Sequence, residues 1–360
     1  MNRSERDAAI AAFVAEAGWG DAEIGPLAGD ASTRRYLRLT RGAETAVVMD
    51  APPGAEAPAC PPDAGLQARK DLGYNALARL AGPRGAAYAG LADYLEKQGL
   101  SAPHIHAADL TKGLMLLEDL GDKLFARQMA QGADERELYH AAADALAMVH
   151  DRKPPDAVEY QGETWPLLTY DDIAAIAEAD LLFDWYLPWQ GAKLDSEARR
   201  GWEAAWREVL AEAPGGSVLT LRDYHAENLL WLDDRQGAAR VGLLDFQDAL
   251  IGHPAYDLVS LAEDARRDVS PGMQADIMDR YCSAAGIADR KSFESAYAIW
   301  GAQRNAKILG IFVRLTQRDG KPRYLDFLPR VEAYFRRDMA HEALTPVRQW
   351  MERHARELIA

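Results

Sequence analysis

Between positions 218 and 248 the chain alternates apolar strands with polar loops in a pattern that few folds accommodate. Val218-Leu219-Thr220-Leu221 is an apolar strand running into Arg222-Asp223-Tyr224-His225-Ala226-Glu227-Asn228. Leu229-Leu230-Trp231-Leu232 makes a second strand, Asp233-Asp234-Arg235-Gln236-Gly237 a hairpin turn, and Arg240-Val241-Gly242-Leu243-Leu244 a third strand. Asp223, Asn228 and Asp245 therefore all fall at strand ends on one loop edge, where they can converge on one metal-bound phosphate. A lone Asp or Asn between strands is ordinarily a turn residue. The joint pattern is not explained that way. An Asp can accept the proton of an attacking hydroxyl, while an Asn and a second Asp offer hard oxygen ligands to Mg²⁺ on nucleotide phosphates. The expected chemistry is phosphoryl transfer, with Asp223 catalytic and Asn228 and Asp245 on the metal.

The rest of the chain supplies two contrasting surroundings for this core. A short helix over 5–18 precedes three strands, 22–27, 33–39 and 44–50, with turn residues between them. Residues 51–65 hold five prolines and read as an irregular loop. Helical periodicity returns over 88–99, followed by strands over 104–109 and 114–118. From Leu124 onward the pattern is helical: 134–150, 171–186, 196–212, and beyond the core 256–264, 273–285, 292–316 and 329–352. The expected fold class is α+β, with a small β-rich nucleotide-binding lobe (1–121) and a larger, mainly helical catalytic and substrate-binding lobe (122–360). At 360 residues the chain is long enough for two cores.

Charge and cysteine content narrow the partners. A formal charge of −15 argues against nucleic-acid binding, which needs basic faces. Cys60 and Cys282 are far apart and carry no metal or disulfide motif. The N-terminus lacks the apolar core of a signal peptide and no apolar run reaches membrane-spanning length. A cytoplasmic monomer acting on a small molecule is expected, with no membrane or nucleic-acid partner.

Nucleotide contacts are expected in two places. Leu114-Met115-Leu116-Leu117-Glu118-Asp119-Leu120-Gly121 is an apolar strand emerging into a short turn, suited to holding adenine through Glu118 and Leu120. The turn Ala28-Gly29-Asp30-Ala31-Ser32-Thr33 can cover phosphates with Gly29, Ser32 and Thr33, next to Arg34. No Walker A sequence is present. The third strand, which would carry a phosphate-pairing lysine, has none; Arg34, Arg35, Arg38 or Lys70 would have to replace it.

These residues resemble the aminoglycoside phosphotransferase and choline kinase superfamily, whose catalytic loop reads roughly His-Gly-Asp-x-His-x-x-Asn. Asp223, His225 and Asn228 match, while Leu221 stands where the first His is usual. Asp245-Phe246-Gln247-Asp248-Ala249 and Tyr256-Asp257-Leu258 resemble the metal-binding and helix-anchoring blocks, with Gln247 where protein kinases carry Gly. A narrower resemblance is to the anomeric sugar kinases of cell-wall recycling. Its blocks are 30–36, 48–53, 182–187, 303–310 and 321–325, and a lysine-free third strand recurs in that group. The resemblance implies a two-lobed protein-kinase-like fold, ATP, Mg²⁺, and N-acetylmuramate or N-acetylglucosamine phosphorylated at C1.

On the acceptor side, His225 and Gln247 can hydrogen-bond ring hydroxyls or brace the loop. Arg304 can meet a lactyl carboxylate and Asn305 an acetamido group, or the pair can brace Asp257 or Glu178. Trp185 and Tyr186 are core or sugar-stacking residues. A rival aminoglycoside acceptor would need carboxylates, for which Asp171, Asp172, Glu178 and Asp180 are available.

Overall fold

A computed structural model describes residues 3–27, 34–54, 57–82 and 84–359. The chain forms two compact units: 1–128 with 155–167 and 228–248, and 129–154 with 168–227 and 249–360. The expected single cut at 121/122 is thus replaced by several crossings.

The first unit is built on a five-stranded antiparallel sheet in the order β1-β2-β3-β5-β4. Its strands are β1 (Glu23–Pro26), β2 (Arg35–Arg41), β3 (Glu44–Asp50), β4 (Ile105–Asp109) and β5 (Leu114–Glu118), close to the expected positions. β3 and β5 are central and mostly buried, as their Val, Met and Leu content requires. Helix Arg3–Glu16 covers one face by packing Ile10, Phe13 and Val14 on Leu39, Ala46, Val48, Leu114 and Leu116. Asp50 is buried where β3 ends and is neutralised by Arg6 (Nε 2.8 Å) and Arg35 (Nε 3.0 Å). A hairpin absent from the sequence reading, Ala157–Tyr160 with Glu163–Pro166, packs on helix Gly85–Lys97. Gln161 and Gly162 turn it at φ +50° and +82°, both left-handed as a two-residue hairpin loop demands. Within 61–87 lie two short helices, Leu66–Leu72 and Tyr74–Leu77.

The second unit is helical. Helix Arg290–Gln317 is its axis and is buried along most of its length. Gly310 lets it touch the backbone of helix Asp172–Leu181, since a Cβ there would lie 2.1 Å from the Leu181 carbonyl carbon. The expected helix over 171–186 widens into a π-turn at Leu182–Tyr186, ahead of Pro188, which cannot donate. The expected helix over 329–352 is two, Leu328–Met339 and Thr345–His354. Pro346 fits only a first turn, and Arg348 Nη1 satisfies the Met339 carbonyl at 2.8 Å. Trp202, Trp206 and Trp350 fill the core beside Phe183.

Candidate active site

The segment bearing Asp223 begins at strand Val218–Thr220, paired antiparallel with Leu250–Gly252. Beyond it the backbone turns sharply, and Arg222 takes φ +73°, a conformation costing an L-residue roughly 1 kcal/mol. Asp257, fully buried on helix Ala255–Ala262, holds that turn. Its carboxylate accepts the backbone N–H of Leu221 at 2.6 Å and of Arg222 at 2.7 Å. His150 Nε2 lies 3.5 Å from the same carboxylate. Tyr224 donates its hydroxyl to the Ala142 carbonyl at 2.8 Å. The loop is therefore braced from beneath by Asp257, although Leu221 offers no side-chain support.

Four cations surround the loop within the second unit. The Arg222 guanidinium pairs with fully buried Glu178, which also accepts the Tyr170 hydroxyl. Lys307 Nζ reaches Glu178 Oε1 at 3.1 Å and Tyr256 Oη at 3.1 Å. Burial alone would raise the Asp223 carboxyl, but Lys307, His225, Arg304 and Arg222 together hold it below the usual carboxylate range. Asp223 is thus ionised at neutral pH and able to accept a proton. His225 is 5 % exposed; burial, aided by Arg266 and Arg304 and opposed by Asp264 and Asp223, pushes its imidazole down to about 4. Arg266 Nη1 is 3.2 Å from His225 Nε2. A guanidinium only donates, so Nε2 accepts and the proton sits on Nδ1.

Arg304 lies one helical turn from Lys307 on the long helix. It is 3 % exposed, and its Nη1 is buried with no hydrogen-bond partner in the protein. Asn305 follows Arg304 on the same helix. Its amide donates to Glu263 at 2.7 Å and Asp338 at 3.0 Å, and the side chain is fully buried. Those bonds engage its amide nitrogen in helix packing, while Oδ1 is buried with no hydrogen-bond partner. Tyr186 is likewise core, donating to Glu332 at 2.6 Å.

Asn228 and Asp245 belong to the first unit. Strands Leu229–Trp231 and Val241–Leu243 pair antiparallel, and the Leu244 N–H donates to the Asn228 carbonyl at 3.0 Å, which sets Asn228 beside Asp245. Asp245 takes φ +59°, and its side chain is 43 % exposed. Gln247 Nε2 donates to Asp245 Oδ1 at 2.8 Å, so Gln247 braces that carboxylate. Phe246 is buried against Tyr88 with ring centroids 5.0 Å apart, and Asp248 Oδ1 accepts the Ala81 N–H at 2.7 Å. An Asp and an Asn at one strand end form a hard-oxygen pair of the kind Mg²⁺ takes alongside phosphates.

Of the cations considered for the missing third-strand lysine, Arg35 is engaged with Asp7 and Asp50, and Arg38 with Asp119 and Asp122 in the turn after β5. Lys70 is exposed on its own short helix. Arg34 Nη1 instead lies 3.4 Å from Asp245 Oδ1. In the turn after β5, Glu118 pairs with Arg235, and Leu120 packs where a Cβ on Gly242 would come within 3.1 Å. Gly29, Ser32 and Thr33 lie outside the described residues. Glu178, Lys307, Arg222 and Arg266 were not singled out from sequence as parts of the loop's surroundings. A readable trace of them is Arg304 and Lys307, spaced three apart in the stretch Gln303-Arg304-Asn305-Ala306-Lys307.

A braced, ionised Asp in a cationic surround, with an Asn and Asp pair five and twenty-two residues further on, defines a phosphotransferase. The family described as phosphotransferase enzyme family matches residues 23–293, and the chain belongs to it. An N-acetylmuramate/N-acetylglucosamine kinase of Caulobacter vibrioides is 49 % identical over 352 residues, 98 % of this chain and 97 % of that protein. A kinase of the same description from Pseudomonas aeruginosa is 34 % identical, covering 89 % of this chain and 86 % of its own length. Among solved structures, a choline kinase from Streptococcus pneumoniae shares the fold, with a TM-score of 0.57 at 14 % identity over 92 % of this chain and 99 % of that one. The chain is an enzyme, a kinase with a hydroxyl acceptor. Among the described residues no helix is long and apolar enough to cross a membrane.

Proposed function

We propose that the enzyme transfers the γ-phosphoryl group of ATP to the anomeric hydroxyl of N-acetylmuramate, N-acetylglucosamine or both, in the recycling of peptidoglycan. The observation carrying this reading is the ionised Asp223 among Arg222, Arg304 and Lys307, in a chain 49 % identical over nearly its whole length to a kinase named for those two sugars. Asp223 accepts the proton of the sugar hydroxyl and orients its oxygen. A carboxylate held this low is a weak base. That suits a loose transition state, in which positioning counts more than basicity, and an anomeric hydroxyl more acidic than an ordinary alcohol. Neutral His225 hydrogen-bonds a ring hydroxyl, and Gln247 holds Asp245 in place. Asn228 and Asp245 hold Mg²⁺, which when bound neutralises charge on the nucleotide phosphates. Arg34 takes the part of the absent third-strand lysine, with Gly29, Ser32 and Thr33 over the phosphates and Glu118 and Leu120 at the adenine. Because ATP is its co-substrate, we place the enzyme in the cytoplasm, as a monomer.

A polycationic aminoglycoside acceptor fits less well. Glu178 is neutralised by Arg222 and Lys307, Asp171 caps its helix at the Ala174 N–H, and Asp180 accepts from Trp202. Incubation of the purified protein with ATP, Mg²⁺ and separate pools of N-acetylated sugars and aminoglycosides tests the proposal. Mass spectrometry should find a sugar phosphate that borohydride does not reduce, placing the phosphate on C1. A phosphorylated aminoglycoside, or a sugar phosphate that is still reducible, would overturn it.

A further inference from the structure

Arg304 presents a guanidinium with one nitrogen, Nη1, that the protein itself does not satisfy. The residue is 3 % exposed and its Nη1 is buried without a hydrogen-bond partner. A buried cation left unpaired is costly, and folded proteins ordinarily pair such groups or reserve them for a ligand. Two neighbouring cations of the unit are paired: Arg222, also buried, and the largely buried Lys307 both meet Glu178. The positive charge of Arg304 acts on both Asp223 and His225, so it belongs to the electrostatic surround of the loop that meets the acceptor hydroxyl. The proposed nucleotide-side groups Arg34, Asn228 and Asp245 belong to the other unit.

Resting on the sugar-kinase reading above, we infer that Arg304 is a specificity residue that binds a carboxylate on the acceptor, so that the enzyme favours the acidic sugar over its neutral counterpart. N-acetylmuramate carries a lactyl carboxylate on the C3 oxygen, a ring's width from C1; N-acetylglucosamine carries a hydroxyl there. A fork of guanidinium N–H groups matches a carboxylate in two parallel charge-assisted bonds. With the neutral sugar the fork stays unmatched. The same charge, with Arg222, Arg266 and Lys307, repels a cationic acceptor.

The test is kcat/KM for both sugars with ATP and Mg²⁺, in the wild type and in Arg304→Gln. The wild type should prefer N-acetylmuramate. The variant should lose roughly 10- to 100-fold more on that sugar than on N-acetylglucosamine, the excess falling mainly in KM; any loss common to both sugars reports the effect of Arg304 on Asp223. The methyl ester of N-acetylmuramate, assayed with the wild type, should show a loss of the same size, which keeps the inference testable if the variant does not fold. Equal losses on both sugars, or an ester turned over as well as the acid, would overturn the inference while leaving the sugar-kinase reading intact. Failure of the wild type to phosphorylate either sugar would overturn both.

Discussion

His225 shows how burial decides what a loop side chain can do. Its imidazole titrates near 4, so at neutral pH it is an uncharged hydrogen-bonding group rather than a second cation beside Asp223. The folded pKa lies below the ordinary value of about 6.5, so between those two limits the unfolded chain binds a proton that the folded chain does not. Stability is therefore intact above about pH 6.5 and falls as the pH drops toward 4. Urea unfolding at pH 7 and pH 4.5 should show His225→Asn losing about 2 kcal/mol less than the wild type over that interval. His253, also held near 4, contributes equally to both proteins and cancels. Equal losses would contradict the assignment. Asp223, Asn228 and Asp245 were legible in the sequence because they are local and each needs only its residue type and spacing. Glu178, Lys307 and Arg266 were not, because their roles come from partners tens of residues away. The fate of Asn305 was hidden for the same reason, since Glu263 and Asp338 claim its amide.

Elements were most legible where periodicity and turn chemistry agree. Strands β3 and β5 and the helix Ser196–Glu212 stand where their apolar spacing puts them. Legibility failed where one proline or one contact re-routes the chain. Pro346 divides what reads as one amphipathic helix, and the π-turn at Leu182–Tyr186 leaves no mark in the apolar pattern. Leu221 stands in place of the usual loop histidine, and Asp257 holds the loop from a neighbouring helix instead. The close crossing at Gly310 matters for the same region, because it seats the helix carrying Arg304 and Lys307 against the helix carrying Glu178. Gly310→Ala would force a methyl group into the Leu181 backbone. It should cost roughly 3 kcal/mol, read as a lower urea midpoint at unchanged m-value. A midpoint within error of the wild type would show that the two helices separate freely.

For the whole molecule, net charge is a poor guide to the site. A chain of −15 gathers Arg222, Arg266, Arg304 and Lys307 around the loop that carries Asp223 and His225. The division into units was only half legible. The β-rich and helical parts follow from composition, but the returns of 155–167 and 228–248 to the first unit depend on non-local pairing. Val158 fills the space beside Gly90, and the Leu243 N–H donates to the Ser101 carbonyl at 2.9 Å, contacts that no local pattern announces. The account's central claim is a division of labour, with Asp223 acting on the acceptor and Asn228 and Asp245 on the metal and nucleotide. The most direct measurement is paired calorimetry and steady-state kinetics on Asp223→Asn with ATP and Mg²⁺. Nucleotide affinity should stay within about twofold of the wild type while kcat falls by about 100-fold or more. Near wild-type turnover in Asp223→Asn would contradict the account.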